Sequence, residues 1–290
     1  MEYIRLNQKD KEDFYKIIKE LRKKNISSAV ETANIIFDEH RNVIKEYIES
    51  KNISELIVYL REKSYDYFLF EEANFNREVI LYLGSELNVS KEALKNAVKG
   101  ISKLDFSSER IDEYVNSHFS NYAATIYPYL YELSLSNTNS RRSRSGKTFE
   151  SIIYELYEYL NYPYDSQTKI GKVRFSEMGL GKVVDSILPN QKSFTQFRNK
   201  CIVGSMKTSL RERWQEVVEE VQRSNLPNIY LLTVDEKISS NKIQQMAHHN
   251  IVLVTLQNVK EQLSIFHNVI SFEEYFLVSI PEILTYWEDR

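Results

Sequence analysis

The sequence lacks the features that are typical of secreted and membrane proteins. It contains one cysteine, Cys201, within an apolar stretch, which excludes a disulfide framework and predicts a buried thiol. No apolar run approaches the roughly 18–20 residues that cross a membrane. The start, MEYIRLNQKDKEDF, lacks the apolar core of a signal peptide. These absences predict a cytoplasmic protein with no membrane partner.

Two common kinds of functional site are also missing. RSGKT (144–148) resembles the end of a phosphate-binding loop, but the glycine required five residues before Gly146 is replaced by Arg141. The five histidines include no pair with useful helical spacing, and the adjacent His248 and His249 cannot face the same way on a helix. The sequence therefore predicts neither a nucleotide cofactor nor a zinc site.

An overall excess of positive charge is absent as well, since the net charge is −3. Residues 139–214 nevertheless contain 14 Lys and Arg against 7 Asp and Glu. A basic block within an acidic chain favours a polyanion-binding surface confined to one face. A chance cluster of solvated charges is the alternative, and composition alone does not separate the two.

The pattern of apolar residues changes along the chain. Residues 1–135 show the three- and four-residue spacing of helices, for example in KEDFYKIIKELRKK, and Ser90 is the predicted N-cap of SKEALKNAVKGI. The polar stretch 133–147, which contains SLSNTNSRRSRSGK, is predicted to interrupt this pattern, which places a subdomain boundary there.

The remainder, 136–290, alternates between predicted helices and strands. TFESIIYELYEYL (148–160) is a predicted helix. Short segments with apolar cores follow it, and they predict an α/β fold with a mixed, mainly buried sheet flanked by helices. The predicted strands are TKIGKVRF, GKVVDSIL, NKCIVGSMK, NIYLLTV and NIVLVTL.

Residues 81–100 have a weak helix-turn-helix pattern, in which a short turn precedes a second helix that carries three lysines. This second helix has no Arg or Gln that could read bases. Two packed helices are the commoner explanation of such a pattern.

Three residues in neighbouring predicted elements form the strongest candidate catalytic group. Asp185 lies in VVDSIL, Lys207 follows 22 residues later at the end of the next apolar segment, and Glu220 lies 13 residues further along in a predicted helix. Metal-dependent phosphodiester hydrolysis needs carboxylates that hold Mg²⁺, and a lysine can orient the attacking water and balance developing charge. Each residue alone also has an ordinary explanation, as a turn aspartate, a strand-end charge or a solvated glutamate.

This arrangement resembles the PD-(D/E)xK nucleases, and within them the EcoRII C-terminal-like type II restriction endonucleases that cut CCGG, CCNGG and CCWGG sites. In that group the second carboxylate has moved from two residues before the lysine to the following helix. Here Ser205 occupies the vacated place and Glu220 the new one. In that group a basic stretch begins a helix, and a glutamate of this helix belongs to the active site. RRSRSGKTFE matches this stretch, and its glutamate is Glu150. The resemblance covers about residues 140–225, with Val184 where a Pro or Ser often precedes the aspartate.

The resemblance implies that Arg211, Glu212 and Arg213, just after the lysine, read a CC/GG half-site. Arginine offers a bidentate fork to guanine O6 and N7, and glutamate accepts from the cytosine N4 amino group. The local alternative is a capping box between Ser209 and Glu212 with solvated arginines. Capping would explain the glutamate but not the arginines, which are unfavourable near a helix N-terminus.

The basic residues before Glu150 are predicted to contact the DNA backbone, with a disordered, solvated loop as the alternative. These residues are Arg141, Arg142, Arg144 and Lys147.

The resemblance therefore implies a Mg²⁺-dependent type II restriction endonuclease that cuts double-stranded DNA at a palindromic CC/GG-containing site as a homodimer. Residues 136–290 would be a restriction-endonuclease-like nuclease core, and 1–135 a helical N-terminal subdomain for dimer and DNA contacts. Asp185, Lys207, Glu220 and Glu150 would be catalytic, with Asp185 and Glu220 as metal ligands. The alternatives are a helix-turn-helix regulator without catalysis, and a nuclease of the superfamily that acts in repair or on modified DNA.

Overall fold

The structure is a computed structural model that describes residues 5–102 and 111–288. The chain forms two compact units, and each combines two separate segments. The first unit comprises Met1–Ser28 and Tyr65–Ser143, and the second comprises Ala29–Ser64 and Arg144–Arg290. The predicted subdomains 1–135 and 136–290 stay a prediction. None of the described helices is long and apolar enough to cross a membrane.

Helices account for nearly all of the described chain up to residue 159. In chain order they are α1 (Gln8–Asn25), α2 (Ala29–Glu39), α3 (Arg41–Glu49), α4 (Ile53–Ser85), α5 (Asn88–Ile101) and α6 (Ile111–Tyr159). The core of the first unit contains large apolar residues from α1, α4 and α6, among them Phe14, Phe75 and Ile126, and partly buried residues of α5 pack against it. The predicted N-cap at Ser90 is wrong, because α5 begins at Asn88 and its N-cap is Leu87.

The polar stretch 133–147 does not interrupt the helical pattern as predicted, because it lies wholly within α6. Polar partners inside the first unit satisfy its side chains. Asn137 accepts a hydrogen bond from Arg22 at 2.8 Å and donates one to Asn76 at 2.8 Å. The Arg141 guanidinium pairs with the buried Glu72 carboxylate. A helix can therefore continue through a polar segment whose side chains have partners.

The second unit contains a six-stranded mixed sheet in the order β1-β2-β3-β4-β5-β6. β1–β3 are antiparallel neighbours and β3–β6 are parallel. The strands are β1 (Asp165–Ser166), β2 (Ser186–Leu188), β3 (Ile202–Met206), β4 (Ile229–Leu232), β5 (Ile251–Thr255) and β6 (Val269–Ser271).

Short helices connect the strands and cover the sheet. They are α7 (Gln167–Ile170), α8 (Lys172–Glu177), α9 (Gln191–Gln196), a 3₁₀ turn (Arg198–Lys200), α10 (Arg213–Ser224), α11 (Ser240–His248), α12 (Gln257–Gln262), α13 (Phe272–Glu274), a π turn (Tyr275–Ser279) and α14 (Ile280–Glu288). Apolar residues of α10 and α11, such as Val217 and Ile243, join Val203 and Leu231 of the sheet in one core. This arrangement confirms the predicted α/β class.

The apolar runs CIVGSM, IYLL and IVLVT form β3, β4 and β5 as predicted, because parallel strands covered on both faces are continuously apolar. TKIGKVRF is not a strand but the helices α7 and α8. The Ser166 side chain caps α7 by accepting from the Lys169 N–H, and Gly171 has a φ of 87° between the two helices. Positive φ favours glycine, and Gly171 separates the two helices there.

Candidate active site

Asp185 and Lys207 meet where two neighbouring antiparallel strands begin and end. Asp185 immediately precedes β2, and its N–H donates to the Gly204 carbonyl of β3 at 2.8 Å. Lys207 immediately follows β3, and its N–H donates to the Leu232 carbonyl of β4 at 2.9 Å. Main-chain pairing therefore fixes both backbones before any side chain is considered.

The two side chains are in contact. Asp185 Oδ2 accepts from the Met206 N–H at 2.6 Å and lies 3.4 Å from Lys207 Nζ. Both side chains are mostly buried, with 12% of Asp185 and 14% of Lys207 exposed. Burial raises the pKa of Asp185, and the ammonium of Lys207 and the Met206 N–H oppose this rise. The carboxylate is held in place, and the lysine supplies its counter-charge.

Gly204 permits the close approach of β2 to β3 at this point. A Cβ atom there would lie 2.5 Å from the Ser186 Oγ on β2, a distance that real Cβ atoms do not reach. Ser205, the residue in the vacated carboxylate position, is fully buried, and its Oγ has no hydrogen-bond partner among the described residues. The position two residues before Lys207 is therefore a closed, small-residue site.

Glu150 lies near this pair, on the last turns of α6. The pKa of Glu150 is raised to about 7, because burial and then the charge of Asp185 raise it more than Lys207 and Lys147 lower it. Its carboxylate makes no hydrogen bond to the described residues. Two desolvated carboxylates therefore share one lysine.

Tyr154, one turn after Glu150, is a site residue that the sequence did not indicate. Its hydroxyl donates to the Asp185 carbonyl oxygen at 2.9 Å, and its ring stacks on Tyr164 with centroids 5.3 Å apart. Burial and then the charge of Asp185 raise the pKa of Tyr154, so the hydroxyl stays a donor. The only sequence signal was its helical spacing from Glu150.

Glu220 is the eighth residue of α10, and its neighbours are not Asp185 and Lys207. The side chain is 4% exposed. Its Oε1 accepts from the Gly181 N–H at 2.7 Å, from Arg223 at 2.7 Å and from the Ser224 hydroxyl at 2.5 Å. Among the described residues it has no hydrogen bond or ion pair with Asp185 or Lys207. In this structure Glu220 holds the loop before Asp185 through its hydrogen bond with the Gly181 N–H.

The donor set suits a divalent cation. Both contacts of Asp185 are to Oδ2, which leaves Oδ1 without a hydrogen bond to the described residues. Mg²⁺ takes oxygen ligands and needs one or two carboxylates, since water and phosphate complete its coordination. In the part of the chain that the structure describes, no three His, Cys, Asp or Glu side chains are grouped to hold a metal. Asp185 and Glu150, whose charges interact, are two carboxylates that could contribute ligands to such an ion.

Arg211, Glu212 and Arg213 are exposed on the turn that links Lys207 to α10. Their side chains make no hydrogen bond or ion pair with the described residues. Glu212 occupies the N-cap position of α10, but its side chain makes no capping bond. The capping-box explanation of this glutamate is therefore wrong.

The basic residues of α6 have different surroundings. Within the first unit, Arg141 is engaged by Glu72, and Arg142 is exposed. Within the second unit, Arg144 donates to the Thr32 hydroxyl at 2.6 Å, and the exposed Lys147 contributes to the potential at Glu150. Only Arg142 and Lys147 have no side-chain partner among the described residues.

Comparison with known proteins places these observations in a family. The family model EcoRII C terminal matches residues 104–276. The type II restriction enzyme SsoII of Shigella sonnei is 34% identical over 240 residues, which are 82% of this chain and 71% of that enzyme.

Solved structures agree with this assignment. Metal-depleted Ecl18kI in complex with uncleaved, modified DNA matches with a TM-score of 0.76 and 28% identity, over 98% of this chain and 86% of that one. The PspGI complex with substrate DNA matches with a TM-score of 0.57 and 17% identity, over 90% and 95%, and shows the fold alone. The alternative of a regulator without catalysis has no support from these relatives. The chain belongs to the EcoRII C-terminal family and is a type II restriction endonuclease that acts on DNA.

Proposed function

We propose that the enzyme hydrolyses double-stranded DNA at a palindromic site that contains CC and GG, with Mg²⁺ as cofactor, in the cytoplasm. The observation that carries the proposal is the exposed triad Arg211–Glu212–Arg213, four to six residues after Lys207, whose side chains have no partner in the part of the chain that the structure describes. Two arginine forks and one carboxylate match the guanine acceptors and cytosine amino groups of adjacent G·C pairs. Residues that read and a residue that cuts thus lie on one continuous segment.

Asp185 and Glu150 would hold the Mg²⁺ ion. When bound, this ion supplies a Lewis acid that polarises the scissile phosphate. Glu220, the other predicted metal ligand, would join only by leaving Gly181, Arg223 and Ser224, which now occupy its carboxylate. Burial disfavours two neighbouring carboxylate charges, and a bound cation would offset this cost. This favours Asp185 and Glu150 as the metal ligands.

Lys207 would act on the substrate directly. Its ammonium can orient the attacking water and balance the charge that develops on the phosphate. Asp185 Oδ2 and the Met206 carbonyl, at 3.4 and 3.1 Å from Nζ, hold the ammonium in place. A low-dielectric, water-poor setting strengthens the interaction of this charge with the phosphate.

A palindromic site and one reading triplet per chain imply a C2 homodimer, in which each subunit reads one half-site and cuts one strand. Residues 1–135 would supply dimer and DNA contacts. Phosphate contacts are assigned to four basic residues of α6, and the exposed ones that lack a side-chain partner within residues 5–102 and 111–288 are the better candidates. The four basic residues are Arg141, Arg142, Arg144 and Lys147.

The test is digestion of phage DNA by the full-length enzyme with Mg²⁺ or with EDTA, followed by sequencing of the fragment ends. We expect discrete fragments with Mg²⁺ alone, whose ends share a palindrome containing CC and GG. Lys207→Ala should bind the same DNA without cutting it. Smeared products, equal cutting in EDTA, or ends without such a palindrome would contradict the proposal. Sedimentation of the DNA complex tests the dimer.

A further inference from the structure

The turn that carries the reading triad is held at both ends by buried apolar residues. Leu210, directly before the triad, is 1% exposed, and Trp214, directly after it, is 8% exposed. Both belong to the core of the second unit. The three charged residues therefore project from a short segment whose two ends are fixed in the core.

Leu210 closes this turn through its main chain. Its carbonyl accepts the Arg213 N–H at 2.6 Å. Arg211 between them has a φ of 27°, in the left-handed region that non-glycine residues seldom adopt. Such a backbone persists only where its surroundings over-determine it. Something outside the turn must therefore fix Leu210.

That outside contact is Asp235, in the loop that follows β4. Asp235 Oδ2 accepts the Leu210 N–H at 2.9 Å, and Oδ1 accepts the Lys237 N–H at 3.1 Å. The Asp235 N–H itself donates to the hydroxyl of the fully buried Thr233 at 3.1 Å. Both carboxylate oxygens and the backbone of Asp235 are therefore used to hold one geometry.

The C-terminal end of β4 also fixes the backbone of the catalytic lysine. The Lys207 N–H donates to the carbonyl of Leu232, the last residue of β4, at 2.9 Å. Leu232 and Asp235 thus hold the two ends of the four-residue segment from Lys207 to Leu210. Strand β4 and the loop after it therefore position both the catalytic lysine and the reading turn.

We propose that Asp235 is a positioning residue for sequence discrimination: its carboxylate holds the Leu210 N–H, and with it the Arg211–Arg213 turn, in register with Lys207. This inference rests on the proposed reading role of the triad. Asp235 touches neither DNA nor the reacting atoms in this assignment. It acts by keeping the arginine forks at the angle that bidentate contact with guanine requires.

The measured quantity is the ratio of single-turnover cleavage rates on two duplexes with saturating enzyme and Mg²⁺. One duplex carries the site mapped from phage DNA, and the other carries that site with one G·C pair replaced. Loss of a charge-assisted hydrogen bond corresponds to about 10- to 100-fold, so Asp235→Ala should lower this ratio by at least about tenfold. Asp235→Asn keeps one oxygen acceptor for two N–H groups and should give a smaller loss.

Asp165→Ala is the matched control. Asp165 lies in the edge strand β1, which β2 and β3 separate from β4, and its Oδ2 accepts the Gln191 N–H at 2.7 Å, so its removal deletes the same kind of bond. We expect a lower melting temperature with an unchanged cleavage ratio. Asp235→Ala should also add little to Arg211→Ala, because both act through the same contact with guanine.

The outcomes separate the inference from the proposed function. If Arg211→Ala keeps the wild-type ratio, Arg211 does not read bases, and the inference falls with that part of the proposed function. If Arg211→Ala lowers the ratio while both Asp235 variants keep it, the proposed function stands and the inference is overturned. An equal loss of discrimination in Asp165→Ala would also overturn it, since the effect would then follow general stability.

Discussion

The proposed reading residues follow Lys207 of the proposed cutting site by only four to six positions, yet the two regions differ in how their side chains are held. Asp185 and Lys207 are mostly buried and fixed by main-chain and side-chain bonds. Arg211, Glu212 and Arg213 are exposed and have no side-chain partners among the described residues. In the first region the side chains are fixed, whereas in the second only the backbone is.

The difference follows from what each region must do. A residue that stabilises developing charge must be held before the reaction, because reorganisation during the reaction raises the barrier. A residue that reads bases must leave its hydrogen-bonding groups free until DNA supplies acceptors and donors. Burial at the cutting site therefore costs stability, and exposure at the reading turn costs little.

The largest expected effect comes from the cutting side. Asp185→Asn removes the charge that pairs with Lys207 and that would bind the metal in the proposed function, while the amide oxygen can still accept the Met206 N–H. We expect single-turnover cleavage to fall by at least about 1,000-fold, as when a preorganised electrostatic group is removed from an active site. DNA affinity, measured by fluorescence anisotropy in Ca²⁺, should change little.

Asp112→Asn provides the control, since Asp112 lies in the first turn of α6, away from the catalytic sequence segments. It should cut like the wild type. An Asp185→Asn enzyme that cuts within tenfold of the wild-type rate would remove the distinction between a fixed cutting site and a free reading turn.

Glu150 gives the next effect, on stability. Its pKa rises from 4.5 to about 7 on folding, so the folded chain keeps a proton that the unfolded chain releases. The resulting stabilisation is complete below pH 4.5 and is lost as the pH rises to about 7. One pKa unit corresponds to about 1.4 kcal/mol. The free energy of unfolding of Glu150→Gln, relative to that of wild type, should therefore rise by about 2–3 kcal/mol between pH 5 and pH 8. Urea unfolding in EDTA measures this difference.

Glu177→Gln is a suitable comparison, because Glu177 is exposed in a surface pair with Arg174. Its effect on the free energy of unfolding should be small and the same at both pH values. If Glu150→Gln shows the same difference from wild type at pH 5 and pH 8, the Glu150 carboxyl is not desolvated beside Asp185.

The sequence predicted more of the cutting region than of its surroundings. The strands β3–β5 were visible as apolar runs, and the fold then brings Asp185 and Lys207, 22 residues apart, into contact. Glu220 shows the limit of this reasoning. Its spacing suits a metal ligand, but the Gly181 N–H that binds it lies 39 residues away, in a loop without any signal in the sequence.

Prediction of the polar helix failed for a related reason. Propensity suggested a break at 133–147, because polar side chains usually favour loops and caps. The bonds of Asn137 and Arg141 to residues more than 60 positions away keep the segment helical. Tertiary partners of this kind cannot be inferred from local spacing.

The reading side gives a smaller effect that concerns discrimination rather than rate. Arg211→Ala should lose about 1–3 kcal/mol of preference for the mapped site over a site with one altered G·C pair, the value of a bidentate contact. Cleavage rates on both duplexes provide the measurement. Arg174→Ala, which removes an exposed arginine from a surface pair, should keep the preference. An unchanged preference in Arg211→Ala would exclude that residue from base reading.

The smallest effect tests how far the fixed region extends. Tyr154→Phe deletes the hydroxyl that donates to the Asp185 carbonyl and keeps the ring that stacks on Tyr164. Loss of one such bond should cost about 1 kcal/mol of unfolding free energy. Because the bond also sets the backbone of Asp185, we expect single-turnover cleavage to slow by about three- to tenfold.

Tyr162→Phe distinguishes positioning from plain stability. The Tyr162 hydroxyl donates to the Phe276 carbonyl at 2.8 Å, so this variant loses the same kind of bond in the same unit but away from Asp185. Urea unfolding should show similar losses for the two variants, while the cleavage rate should fall for Tyr154→Phe alone. Equal cleavage rates would mean that the fixed region ends at the Asp185 side chain and that Tyr154 serves only the core.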